Sequence, residues 1–151
     1  MASSSTTDDR NTVLDEHRGL TLTVNRVDDW VTSDEHFGPE WAPELTRRVS
    51  ALVEQLRMHF SGEPESNLFN EIREKTPHLS GRLSALALEH SEILKAFRDV
   101  VEGAKSLSAG PQSPARLALM TRRAISILRR HEAEENELIM RAFWDDMGGL
   151  D

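Results

Sequence analysis

The sequence predicts an all-α fold, an antiparallel up-down-up-down four-helix bundle. Three observations carry that prediction. Apolar residues recur at three- and four-residue steps through four separate segments, and no alternating, strand-like run competes with them. The segments are joined by short stretches rich in Gly, Pro, Ser or Asp, residues that end helices. The chain has 151 residues, the size of one domain with a substantial core. Four amphipathic helices with such connections bury their stripes most simply against one another.

Residues 1–11 are dominated by Ser, Thr and Asp. They are expected to form a disordered tail, leaving 12–151 as the folded domain. The first helix is predicted from about Val13 to Thr32, with Leu14, His17, Val24, Val27 and Val31 on one stripe, and Ser33–Pro39 breaks it. The second stripe is Leu45, Val49, Leu52, Leu56, His59 and Glu63, a heptad-like seam. The third is Leu79, Leu83, Leu86, His90, Ile93, Phe97 and Val100. A Gly/Ser/Pro linker from about Gly103 to Pro114 follows. The fourth stripe is Leu117, Met120, Ala124, Ile127, His131, Glu135, Leu138 and Ala142, and Gly148–Gly149 closes the domain. Trp30, Trp41, Phe60, Phe97, Phe143 and Trp144 are expected to fill the core and the bundle ends.

Composition narrows the function classes. A net charge of −8, from 18 basic and 26 acidic residues, argues against nucleic acid or an anionic membrane surface as partner. The absence of cysteine excludes disulfides, thiolate metal sites and thiol catalysis. The first residues lack the apolar stretch of a signal peptide, and no apolar run reaches membrane-spanning length, so a cytoplasmic protein is expected. Phosphate loops, nucleophile elbows and zinc-finger spacings do not occur.

The histidines carry the chemistry. Four of the six, His17, His59, His90 and His131, interrupt otherwise apolar stripes, one per predicted helix. A single histidine in such a seam is commonly just a hydrogen-bonded core residue. Four, one from each helix, are harder to explain that way. His59 and His131 are each followed four residues later by a glutamate, Glu63 and Glu135, which places both partners of each pair on one helix face. A glutamate buried without a cation or proton costs several kcal/mol, so buried carboxylates imply a counter-charge. Imidazole and carboxylate donors without thiolate suit Fe, Mn, Zn or Co, and two carboxylates able to bridge suit a dinuclear site. The chain also repeats itself loosely. A Glu-His pair at 16–17 precedes His59 by 42 residues, and a second at 89–90 precedes His131 by 41. Thr-Arg-Arg stands at both 46–48 and 121–123.

These segments, EHRGL at 16–20, LRMHFSGE at 56–63, LEHSEIL at 88–94 and RRHEAEENEL at 129–138, resemble a hemerythrin-like HHE domain over nearly everything beyond the first residues. The resemblance implies a hemerythrin-like bundle holding two iron ions in an oxo- or hydroxo-bridged centre. One iron would take His17 and His59, the other His90 and His131, with Glu63 and Glu135 bridging. Two departures stand out. Oxygen-carrying hemerythrins have a second histidine one turn before the third-helix ligand, where this chain has Leu86, and an aspartate where it has Glu135. The site is then closer to hemerythrin-like domains of iron sensing and redox chemistry than to dedicated oxygen carriers. The chain has no tyrosine, which rules out a tyrosyl radical or a Tyr ligand.

Pro64 follows Glu63 directly and disfavours helical geometry there. Either a kink or bulge keeps Glu63 at the metal, which is the expected arrangement, or the helix ends and Glu63 points elsewhere. His36 and His78 are expected to be solvated. Glu16, Glu89, Glu132 and Glu134 are expected to be exposed or to flank the ligands, with Glu132 able to substitute for Glu135. The leading expectation is a non-haem di-iron protein that binds or reacts with a small diatomic ligand or peroxide, in sensing, storage or redox work. A di-iron peroxidase or oxidase is one alternative. The other is a helical interaction module merely stapled by its metal.

Overall fold

The computed structural model describes residues 3–33, 37–107 and 113–146. Among them are five α-helices, one short 3-10 turn and no strand. The helices are α1 (Ser3–Ser33), α2 (Trp41–Phe60), α3 (Glu63–Lys75), α4 (Ser80–Lys105) and α5 (Pro114–Asp146), and the turn is Pro77–Leu79. Helix α1 packs against α2, α3 and α5, and α4 packs against α2 and α5. The apolar stripes thus close on one another in a ring, as an all-α chain of this patterning requires.

Four local features differ from expectation. Helix α1 begins at Ser3, so residues 3–11, expected as a disordered tail, are helical. Their Ser/Thr/Asp composition disfavours a helix only weakly, and tertiary contacts decide. Val13 is fully buried, and the Arg10 guanidinium lies 3.9 Å over the Phe143 ring near the end of α5. Helix α4 continues through Gly103 and Ala104, both buried, to Lys105, which shortens the expected linker. The fourth stripe turns inward through Leu128 and Ile125, leaving Ile127 exposed, and Trp144 lies on the surface. His36, residues 108–112 of the linker and Gly148–Gly149 lie outside the described residues.

The fourth difference bears on function. The predicted second helix is two helices. α2 ends at Phe60, where the Ser61 N–H and hydroxyl both donate to Arg57 O, at 3.2 and 2.8 Å. Gly62 is extended (φ −74°, ψ 146°), and a Cβ there would stand 3.3 Å from Met58 O. Pro64 falls in the first turn of α3, where its missing N–H leaves no helical bond unmade. The chain breaks the helix and restarts it.

The buried apolar residues form two clusters. The larger includes Leu20, Val24, Leu45, Leu52, Leu56, Ile93, Phe97, Ala124 and Leu128. The smaller includes Val13, Leu68, Phe69, Ile72, Leu83, Leu86, Leu138 and Ile139. Between them, on every stripe, lies a polar residue.

Candidate metal centre

The apolar register carries those polar residues inward. On α1, His17 falls between buried Val13 and Leu20. On α4, His90 falls between Leu86 and Ile93. On α2, His59 follows Leu56, and on α5 His131 follows Leu128, with Glu135 one turn further on, before Leu138. His17, His59, His131, Glu65, Glu132 and Glu135 are all buried. The His90 side chain keeps 18% of its surface exposed, with one ring face stacked on Phe60 at 4.0 Å between centroids.

Glu135 is the centre of the cluster. Its Oε1 lies 2.6 Å from His131 Nε2 and 3.4 Å from His90 Nε2. Its Oε2 lies 3.2 Å from His17 Nε2, which also stands 3.3 Å from Glu132 Oε2. Glu65, from the first turn of α3, brings Oε1 within 3.7 Å of His59 Nε2. His17, His59, Glu132 and Glu135 place one donor atom each within 4.8 Å of one another, and so do His90, His131 and Glu135.

The outer ring nitrogens of three of these histidines have their own acceptors. His59 Nδ1 lies 2.5 Å from Glu16 Oε2, His131 Nδ1 lies 2.8 Å from Glu89 Oε1, and His17 Nδ1 lies 2.7 Å from Asn136 Oδ1. A proton held on Nδ1 leaves the lone pair on Nε2, pointing into the cluster, as metal-binding imidazoles require. The loose sequence repeat acquires a physical meaning here. In each Glu-His pair, the glutamate orients the histidine of the following helix, Glu16 that of α2 and Glu89 that of α5.

Most of the inner atoms are left without hydrogen bonds; His90 Nε2 and Glu135 Oε1 are the pair that has one. His17, His59 and His131 Nε2, both oxygens of Glu65 and Glu132, and Glu135 Oε2 are buried and lack a hydrogen-bond partner. Even the close His131–Glu135 approach is not aligned as a hydrogen bond. Buried polar atoms rarely go unpaired, and a concentric set of imidazole nitrogens and carboxylate oxygens is what a cation would satisfy. The residues present fit a metal.

Electrostatics shows the same demand. Burial raises Glu65, and the charge of Glu135 beside it adds to the shift, so its carboxyl is pushed up to about 10. Burial likewise lifts Glu132 to about 7, against the opposing pull of His17. Burial would also raise Glu135, but the imidazoles of His131, His17 and His90 outweigh it and hold that carboxyl well below its usual range. Burial lowers His17 and His131, yet the carboxylate of Glu135 turns both net shifts upward. His59 is lowered, by burial first and against the pull of Glu16. Without a cation, the cluster balances its three carboxylates with protons.

Five of the six residues singled out from the sequence come together: His17, His59, His90, His131 and Glu135. Glu63 does not. The break at Ser61–Gly62 ends α2 before the turn that would carry it inward, and Glu63 is exposed at the start of α3. Glu65 occupies the buried place instead. Glu132 joins Glu135 rather than replacing it. His78, as expected, lies on the surface, its nearest carboxylate oxygen that of Asp145 at 3.7 Å. Sequence reasoning missed Glu65 and Asn136. Glu65 had a signal, because it lies three, four and seven residues before Leu68, Phe69 and Ile72, the buried stripe of α3. Asn136 had none.

The family model of the hemerythrin HHE cation-binding domain matches residues 8–143. No curated protein and no solved structure matches the chain.

Proposed function

The chain belongs to the hemerythrin HHE cation-binding domain family, and from that premise we propose that it is a non-haem di-iron protein that binds or reacts with O2, NO or peroxide. In this reading α2 and α3 together serve as one broken member of an antiparallel four-helix bundle. His17 and His59 hold one iron, His90 and His131 the other. Glu135 is shared between them, Glu65 acts in the place expected for Glu63, and Glu132 adds a third carboxylate. An iron pair so held supplies redox chemistry and open coordination positions for a small ligand.

The observation that carries the proposal is the inward-facing set of unpaired Nε2 and carboxylate atoms, backed by outer acceptors on three of the imidazoles. Sensing, storage or stoichiometric redox work fits better than dedicated turnover, because the buried titratable groups of the centre are all ligand candidates, with none left over for acid–base chemistry on a bound substrate. No helix among the described residues is long and apolar enough to cross a membrane, and we place the protein's action in the cytoplasm.

The deciding experiment is metal content together with the ultraviolet–visible spectrum of protein expressed with added iron. About two irons per chain and an oxo-to-iron charge-transfer band that responds to azide would support the reading. Zinc alone, or no metal, would refute it. Peroxide or O2 consumption beyond one equivalent per site would move the assignment to a di-iron peroxidase or oxidase.

A further inference from the structure

The two sides of Glu135 are not equivalent. Its Oε2 faces His17, on a side that also carries Glu132, 3.3 Å from His17 Nε2, and Glu65, 3.7 Å from His59 Nε2. Its Oε1 faces His131 and His90, where it supplies the carboxylate of a two-histidine set. Orientation differs in the same sense. His17 and His59 both have acceptors on Nδ1, as does His131, whereas His90 has none among the described residues and is the member with most solvent contact.

We propose, building on the di-metal reading above, that the centre fills in two unequal steps. The first divalent cation occupies the side formed by His17, His59, Glu132 and Oε2 of Glu135, and the second, more weakly held, occupies the His90–His131 side. Charge favours this order. Three buried carboxylates against one divalent cation leave a single negative charge, and against two they leave a single positive one. Hard oxygen donors concentrate on the first side, which favours Mn2+ or Fe2+ there. The second cation must overturn the sign of a buried cluster, so it arrives with an anion such as hydroxide. Ligands held by outer hydrogen bonds bind metal more tightly, by roughly 10–100-fold for each such partner, and His90 lacks one.

The test is calorimetric titration of the chelator-stripped full chain with Mn2+, followed in parallel by electron paramagnetic resonance. Two steps are expected, separated by at least about tenfold in Kd. The first equivalent gives the spectrum of isolated Mn2+, and the second gives an exchange-coupled pair. Glu132→Gln, which keeps size and shape, weakens the first step and leaves the second. His90→Ala or His90→Gln removes the second step and leaves the first, with circular dichroism confirming that each variant folds. Two equal or positively cooperative steps in the wild type would overturn the ordering while leaving the di-metal reading intact. So would loss of the tight step on changing His90. Failure of the wild type to bind any metal would overturn that reading as well.

Discussion

Replacing Glu65 by glutamine should move the metal-free and the metal-loaded protein in opposite ways. In the metal-free fold, burial and the neighbouring charge of Glu135 push the Glu65 carboxyl up to about 10, so it stays protonated at neutral pH. The unfolded chain ionises it at about 4.5. Holding that proton at pH 7, roughly 2.5 pH units above the unfolded value, costs the folded state about 3 kcal/mol. Glutamine is neutral throughout and removes this cost. An amide imperfectly paired among the carboxylates returns about 1 kcal/mol. The net gain of about 2 kcal/mol corresponds to a rise in Tm of roughly 4–8 °C for a chain of this length. With metal the sign reverses. The variant lacks an anionic donor, so affinity falls by at least the roughly 10–100-fold that a lost outer partner costs, and the rise in Tm on adding metal shrinks. Glu63→Gln, at an exposed position, should change neither. Thermal melts of both variants, with and without metal, read all four quantities. The reasoning fails if Glu65→Gln lowers the metal-free Tm, or if Glu63→Gln is the substitution that abolishes metal binding.

Three further outcomes are expected. Stability of the metal-free protein should fall as pH rises from about 5 to about 7. Glu132, with its carboxyl lifted to about 7, and Glu65 keep protons in the fold that the unfolded chain releases above about 4.5. Glu135, held low, acts in the opposite sense only below that range, and melts across pH 4–8 check the slope. Glu16→Ala and Glu89→Ala should each weaken metal binding by roughly 10–100-fold in a chelator competition, because they free the outer nitrogens of His59 and His131. His78→Ala should leave both metal content and Tm unchanged, since its side chain is 66% exposed.

The four histidines were legible because each occupies a position where three- and four-residue steps demand an apolar side chain. That departure from pattern is visible without coordinates. Glu135 was legible for the same reason. Glu63 was misread because the step of four from His59 holds only while the helix continues, and Gly62 with Pro64 ends it. A restart resets the register, so the buried glutamate is found backward from Leu68 and Phe69, at Glu65. Glu132 and Glu135 both lie on the inward face of α5; periodicity admits both, and only packing shows that both are buried in the cluster. The helical start of α1 was hidden because its residues have no strong preference of their own and follow their contacts with α5.

The layer of histidines and glutamates separates two apolar cores, and that division has a consequence for how the molecule comes apart. Each core is continuous within itself, but the layer between them is made of buried carboxyls and imidazoles whose inner atoms lack hydrogen-bond partners. Stripped of metal, the two halves have little to gain from melting together. The smaller core, which includes α3 and the adjoining ends of α1, α4 and α5, should open first, and its amides should exchange with solvent ahead of those around Phe97 and Leu56. A cation bridging the layer ties α3, through Glu65, to the larger core. Metal would then decide whether the chain unfolds as two units or as one, and two calorimetric peaks merging into one on loading would be its signature.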